Sequence, residues 1–240
     1  MWLEYLRGKP PEWHLGRLII SLGDIMQKFL LLLAALAASQ SALAAPAPAI
    51  DNECVTVWDI NLAPGASAPP LPADNDRVVM FLEGGRIKTV TDGKARTTAR
   101  KFGDAMLIPK GSTAIDTLIS GSPAHEIVVA LKDHAEPATL NTGGLPLAFP
   151  RPGSVKVLEN SRAIVWHYSW VPGKPTAMHF HDKDVVVAYR YDGTLKSTTP
   201  DGAVTENPYK KGEIRFNKSN RTHSELLATG RQSAVILELK

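Results

Sequence analysis

The sequence has little cysteine and no cluster of basic residues. Its single cysteine, Cys54, excludes an intramolecular disulfide even in an oxidising compartment. The 240 residues include 27 Lys and Arg against 24 Asp and Glu, so the formal net charge is only +3. A chain this close to neutral, without a basic patch, does not favour nucleic acid or an anionic membrane as a partner.

Long helical patterns are also missing. No long segment repeats its apolar residues with the period of a helix. Instead, short runs rich in Val, Ile, Trp, Tyr and Thr are broken at short intervals by Pro-Gly, Asp-Gly or Gly-Gly pairs. This pattern is typical of a sandwich or barrel of antiparallel strands rather than of alternating strands and helices. We therefore predict an all-β fold.

The N-terminal part of the chain carries an apolar run over residues 29–38. A lysine precedes the run, and small residues follow it up to Ala44. This order predicts a secretory signal peptide over residues 26–44, cut after Ala44. A membrane span is the alternative, but the run is shorter than the ~20 residues that a span needs. We expect a periplasmic or secreted protein that has no membrane contact after cleavage.

Residues 1–25 read as an upstream extension. A signal peptide normally begins close to its own methionine, and Met26 is well placed to be that start. We leave these residues out of the prediction of the fold.

The rest of the chain contains one pattern twice. Trp58 and Trp166 are 108 residues apart, and so are Gly65 and Gly173. A fixed period with matched strands and turns indicates two copies of one structural unit. The connection between them is rich in Pro and Gly. We therefore predict an N-terminal domain over residues 45–145 without metal ligands and a C-terminal domain over residues 146–240 that carries the site.

Three histidines of the second copy are the candidate metal ligands. His179 and His181 alternate on a predicted strand, so their side chains point the same way. Together with His223 they would form a facial set of nitrogen ligands with open coordination positions. The first copy has apolar residues at the corresponding places, which are Leu71, Ala73 and Ala114.

These histidines and their flanking glycines resemble the motifs of the cupin family, whose jelly-roll barrels carry a metal near the barrel axis. The family's first motif is Gly, five residues, His-x-His, three or four residues, Glu, six residues, Gly. The stretch from Gly173 through His179-Phe-His181 to Gly193 fits this spacing, with Val186 in the place of the glutamate. The second motif places a histidine eleven residues after a glycine. Gly212 and His223 have that spacing.

The resemblance implies two tandem cupin-type jelly-roll β-barrels, with a metal site in the second barrel only. Because the glutamate is missing, the ligand set resembles the three-histidine variant of thiol and diketone dioxygenases. Asp184 is a further candidate ligand. Asp76 stands at the same place in the first copy, where no histidines accompany it, and this favours a turn residue instead.

The expected cofactor is one divalent metal ion, with Fe(II) favoured and Mn, Zn, Ni or Cu left open. Three neutral imidazoles leave the charge of the metal uncompensated, so an anionic or chelating ligand is favoured. Arg215 could hold a carboxylate, or it could be an exposed arginine in a salt bridge. His167 is a candidate general base, or a histidine satisfied within its strand. Tyr189 is a candidate catalytic residue if its side chain faces inward.

Two functions of different class follow. The first is an exported metal-dependent enzyme, of dioxygenase or isomerase type, that acts on a small chelating organic acid, enol or phenol. The alternative is a non-catalytic periplasmic binding or scaffold protein, which the absence of an acid–base residue at a fixed spacing would favour. By analogy with cupins a homodimer is compatible with the sequence. The two units could also cover each other's sheet edges, so monomer and dimer stay open.

Overall fold

The computed structural model describes residues 45–134 and 142–240. Every helix or strand assigned within these ranges is a β-strand, and this confirms the all-β prediction. Within the same ranges, the chain has no helix of the length and apolarity that crossing a membrane requires. The predicted extension over residues 1–25 and the predicted signal peptide over residues 26–44 lie outside the described residues.

The first eight strands form one pair of sheets, which we call the first unit. Its large sheet has the strand order β1-β2-β8-β3-β6, and its small sheet has the order β5-β4-β7. The strands are β1 (Ile50–Asp51), β2 (Val55–Leu62), β3 (Asp76–Glu83), β4 (Arg86–Thr91), β5 (Lys94–Ala99), β6 (Ala105–Ile108), β7 (Ala114–Ser120) and β8 (Ala124–Leu131).

The remaining nine strands form a second pair of sheets, the second unit. Its large sheet has the order β15-β12-β17-β10-β9, and its small sheet has the order β11-β16-β13-β14. The strands are β9 (Val155–Glu159), β10 (Ala163–Ser169), β11 (His179–His181), β12 (Val185–Tyr189), β13 (Gly193–Thr198), β14 (Val204–Tyr209), β15 (Ile214–Asn217), β16 (Arg221–Gly230) and β17 (Ser233–Leu239).

The repeat in the sequence has a counterpart in the sheets. The order β2-β8-β3-β6 in the first unit matches β10-β17-β12-β15 in the second, and β5-β4-β7 matches β14-β13-β16. All pairings within the sheets are antiparallel. The boundary at residue 145 stays a prediction.

The core consists of three layers of apolar side chains. One cluster fills the interior of each unit, and a third lies between the two large sheets. In β12, for example, Val185 and Val187 face the interior of the second unit, whereas Val186 and Ala188 pack in the layer shared with the first. Both faces of this sheet are covered, so its strands are continuous apolar runs rather than alternating ones. Each fully buried valine of this kind contributes about 1.5 to 3 kcal/mol.

Candidate metal centre

His179, His181 and His223, which we call the histidine cluster, meet where β11 pairs with β16. His179 lies directly opposite His223 in the antiparallel register, and His181 lies one alternation further along β11. One potential ligand atom of each residue lies within 4.8 Å of those of the others. The Nε2 atoms of His179 and His181 are 3.2 Å apart. Two nitrogens that bind one ion at right angles would be about 3.0 Å apart, so this spacing suits a shared metal.

Hydrogen bonding prepares the cluster for a metal. The Nδ1–H of His179 donates to the carbonyl oxygen of Ala177 over 2.8 Å, which leaves its Nε2 lone pair free. The Nε2 of His223 is buried and has no hydrogen-bond partner. A buried polar atom without a partner is costly, and a metal ion would satisfy it. The residues present therefore fit a divalent metal ion.

Burial also keeps the imidazoles neutral, which is the form that binds metals. Burial lowers the pKa of His223 to about 4, with nearby Glu225 opposing the shift. The pKa of His179 is lowered chiefly by burial. Burial and the neighbouring Arg221 hold the pKa of His181 far below its ordinary value.

Glu225 is a site residue that the sequence analysis missed. It follows His223 by two residues on β16, so both side chains lie on the same face. Its Oε1 lies 3.7 Å from the Nε2 of His223. Its Oε2 accepts hydrogen bonds from the Nε1–H of Trp170 over 3.1 Å and from the Nη1–H of Arg151 over 3.2 Å. The His-x-Glu spacing on a predicted strand is the signal that could have revealed it.

The carboxylate of Glu225 is ionised because of these partners. Burial alone would raise its pKa, but Arg151 and the hydrogen bond from Trp170 help to bring it below the ordinary value. Arg151 in turn lies over the rings of Phe149 and Tyr168, at 4.6 and 4.1 Å from their centroids. Stacking and the ion pair together fix the orientation of this carboxylate.

An interior cavity of about 150 Å³ adjoins the histidine cluster. Three arginines line it against one carboxylate, that of Glu225. Arg151 is paired with Glu225 and Arg215 with Glu213, whereas Arg221 forms no ion pair with any described residue. The interior cavity therefore has an excess of positive charge that suits an anionic ligand.

Arg215 and Tyr189, two of the predicted catalytic residues, line this cavity. The Arg215 guanidinium lies 4.2 Å from the centroid of the Tyr209 ring, and its Nε–H donates to Glu213 over 2.6 Å. Tyr189 faces inward and stacks on Tyr209, with ring centroids 3.9 Å apart. Burial raises the pKa of Tyr189 well above its ordinary value, so its hydroxyl is a neutral donor. Their catalytic roles stay predictions.

His167, the third predicted catalytic residue, lies away from the cavity. On β10 its neighbours Trp166 and Tyr168 face the interior of the second unit, so His167 faces the first unit. Its ring meets the ring of Phe102, with centroids 5.8 Å apart. A role of His167 as a general base therefore loses its geometric basis, because the sheet separates it from the histidine cluster.

Asp184 and Val186 are likewise on the face of β12 that looks toward the first unit. The Ser219 N–H donates to Asp184 Oδ1 over 2.6 Å, and Cys54 of the first unit approaches its Oδ2 at 3.8 Å. Asp76 accepts a hydrogen bond from the Lys110 N–H in the same way, over 2.8 Å. Asp184 thus holds a turn, as the first copy indicated, and it is not among the residues brought together as potential ligands. A glutamate at the place of Val186 would also point away from the cluster.

No family model matches the chain. The β-alanine degradation protein BauB of Pseudomonas aeruginosa is 34% identical over 89 residues, which are 37% of this chain and 88% of that protein.

Among solved structures, the fold is similar to that of two enzymes. Oxalate decarboxylase of Bacillus subtilis, described for its Mn(II) centres, superposes with a TM-score of 0.55 at 12% identity, over 78% of this chain and 69% of that one. Salicylate 1,2-dioxygenase of Pseudaminobacter salicylatoxidans superposes with a TM-score of 0.55 at 14% identity, over 88% of this chain and 82% of that one. Identities this low show the fold alone, and both enzymes are cupins with jelly-roll barrels. The chain therefore has the cupin fold predicted from its histidine motifs, and it belongs to the same family as BauB.

Proposed function

We propose that this protein is a metal-dependent enzyme in which His179, His181 and His223 hold one divalent ion. The observation that carries the proposal is their convergence in a buried site, with the Nε2 of His223 left without a partner. The similarity to an oxalate decarboxylase with Mn(II) centres and to a dioxygenase supports it at the level of the fold. Fe(II) is our first choice of metal, and Mn, Zn, Ni and Cu are the other candidates.

The substrate that fits this site is a small organic acid, enol or phenol with oxygen atoms able to chelate. The bound ion would supply Lewis acidity and, in the case of iron, redox chemistry with oxygen. Arg221 lines the interior cavity, forms no ion pair with any described residue and would stabilise negative charge on the chelating oxygens of the substrate. Tyr189 lines the same cavity and would help to orient the substrate by packing against it.

Glu225 supplies the acid–base group that the sequence appeared to lack. Its Oε2 is held by Trp170 and Arg151, while its Oε1 is directed toward the histidine cluster. A fixed carboxylate at this position would accept a proton from a substrate held beside His223. This weakens the alternative of a non-catalytic binding or scaffold protein, since that alternative depended on the absence of such a group.

The predicted signal peptide makes the periplasm or the cell exterior the proposed place of action. Expression of the chain from Met26, followed by mass determination of the exported protein, tests this. We expect a mature N-terminus at Ala45. A mature chain that still contains residues 26–44 would reject cleavage. A homodimer remains a proposal by analogy, and size measurement of the same sample tests it.

The decisive experiment compares metal content in the native protein and in the His179→Ala/His223→Ala double variant, both purified without a chelator or a histidine tag. We expect about one equivalent of metal in the native protein and none in the variant. A folded native protein without metal would reject the metal centre. Turnover is then tested by oxygen consumption and by NMR on a panel of organic acids, enols and phenols. Full metal content with ligand binding but no turnover would favour the binding alternative.

A further inference from the structure

A second cavity, of about 430 Å³, lies next to the histidine cluster on the outside of the second unit. We call it the outer groove. His179 lines it, whereas His181 and His223 line the interior cavity, and Arg151 lines both. Its volume falls within the range of small-molecule sites, about 300 to 1,000 Å³. The walls are mainly apolar and include Leu147, Tyr168, Val171, Pro146, Pro150 and Pro175.

The wall of the outer groove is attached to the strand that carries two of the histidines. The Ala148 N–H donates to the carbonyl oxygen of Phe180 over 2.8 Å, and the Phe180 N–H donates to that of Pro146 over 2.9 Å. Phe180 lies between His179 and His181, so segment 146–148 is fixed relative to the histidine cluster. The prolines restrict the backbone further. A ligand would meet a preformed surface, which lowers the entropic cost of binding.

Two large hydrophobic side chains in the lining of this groove are exposed to water. Leu147 is 38% exposed and Val171 is 50% exposed, although both are large hydrophobic residues. Covering such adjoining apolar surface with the apolar part of a ligand is favourable.

The charges of the outer groove are of one sign. Its lining includes Lys174 and Arg151 but no carboxylate. The ammonium group of Lys174 forms no ion pair with the described residues. The Nε–H of Arg151 is buried and lacks a hydrogen-bond partner, although the Nη1 atom of the same guanidinium binds Glu225. An anion in the groove would be attracted by the charges of Arg151 and Lys174.

We propose that the outer groove binds the apolar part of the substrate, which is therefore a carboxylate with an alkyl chain or ring attached. The carboxylate lies at Arg151, between the two cavities, and the chain or ring extends along Leu147 and Val171. This inference rests on the proposed function, because it specifies the substrate class of the same metal site. It excludes a compact acid without an apolar part as the preferred ligand.

The test is calorimetric titration of the metal-loaded full chain with straight-chain carboxylates from acetate to octanoate. We expect the affinity to rise about fourfold with each methylene group until the groove is full. The corresponding alcohols should bind at least about tenfold more weakly, because they lack the charge that Arg151 and Lys174 recognise.

Variants assign the effect to the groove. Leu147→Asp changes an exposed side chain and leaves the backbone bonds of segment 146–148 in place, and we expect it to abolish the dependence on chain length. Val204→Asp, at a 58% exposed valine on β14, is the matched control and should retain that dependence. Equal affinity for all chain lengths, or an unchanged dependence in Leu147→Asp, would overturn the inference.

Metal analysis of the same samples separates this inference from the proposed function. A native protein with stoichiometric metal but no preference for longer chains rejects the groove as the substrate site. A native protein without metal that still prefers longer chains, and loses this preference in Leu147→Asp, supports the groove and rejects the metal enzyme.

Discussion

The two units of the chain share one strand order. They differ in the charged and polar side chains that lie inside them. In the first unit, Arg77 is buried at the position equivalent to Val185 of the second. Its guanidinium donates to the carbonyl oxygens of Leu71 and Ser112. Leu71 occupies the position equivalent to His179. The first unit thus has a guanidinium at the place where the second unit has its candidate metal ligands.

The carboxylates of the two units show a second contrast. Asp116 follows Ala114 by two residues, just as Glu225 follows His223. Burial raises the pKa of Asp116, whereas Arg151 and Trp170 help to lower that of Glu225. Equivalent positions on equivalent strands therefore carry carboxyl groups whose pKa values shift in opposite directions. The difference shows that the partners of a buried carboxyl group, rather than its place in the barrel, decide its ionisation.

The largest effect is expected when the arginine of the first unit is placed at the equivalent position of the second unit. We expect Val185→Arg to abolish metal binding, with an affinity loss of about 100-fold or more, because a guanidinium beside the histidine cluster repels a divalent cation. Metal analysis and circular dichroism of the purified variant provide the measurement. Val185→Met adds bulk without charge and should keep its metal. Stoichiometric metal in a folded Val185→Arg protein would contradict this account.

A carboxyl group inside the first unit should make stability depend on pH. Burial, and after it the nearby Asp116, raises the pKa of Glu126 from 4.5 to about 8. The folded state then binds more protons than the unfolded state between these values, so stability falls as the pH rises from 4.5 to about 8. Glu126→Gln removes this fall, and above pH 8 the variant should be more stable than the native protein by an amount on the order of 5 kcal/mol.

Urea unfolding of both proteins at pH 5 and pH 9 measures the effect. At pH 5 the two free energies of unfolding should differ little. An equal difference at both pH values would show that Glu126 is not the group responsible.

Removal of the metal should affect the second unit selectively. An ion present at 100 times its dissociation constant stabilises the folded state by about 2.7 kcal/mol, and a chelator should remove that amount. Amide hydrogen exchange should then increase in β11 and β16, where the ligands lie, and remain unchanged in β7, the equivalent of β16. Equal increases in both units would mean that the chelator acts on the whole fold.

The smallest effect is expected at Glu225. Glu225→Gln keeps an oxygen to accept the Trp170 N–H but removes the negative charge beside His223. We expect metal affinity to fall about tenfold, since groups that orient or polarise metal ligands typically contribute at least that much. Competition with a chromogenic chelator measures it. Glu206→Gln, at an exposed residue of β14, serves as the control and should change nothing.

Much of the architecture follows from the sequence alone. Turn dipeptides and runs of β-branched residues indicate strands locally, and the same pattern occurs in both copies of the repeat, so the all-β fold was predictable. The grouping of the three histidines was predictable from their spacing. It was not predictable which residues of the large sheets face the cavity. Because both sides of β12 are buried, the run Val185 to Tyr189 has no polar alternation to show which residues face the cavity. The sequence therefore left open which way Asp184 and Val186 face, and the structure turns both away from the histidine cluster.

Arg151 could not be found for a different reason. It lies in the connection between the units, 74 residues before its partner Glu225, and no local pattern joins the two. Only the folded chain brings that connection onto the edge of β11.

The two units are joined by one segment, part of which lies within the described residues. Segment 146–148 pairs with β11, and the residues that follow it supply Arg151, so the joining segment forms part of the wall of the site. Each strand of the first unit has a counterpart in the second, whereas the linker occurs once. Its sequence can therefore become adapted to the unit that follows it. A minimal fragment designed to keep the site should therefore begin ahead of Pro146, and under the proposal for the outer groove we expect exchange of this linker between relatives to alter ligand preference.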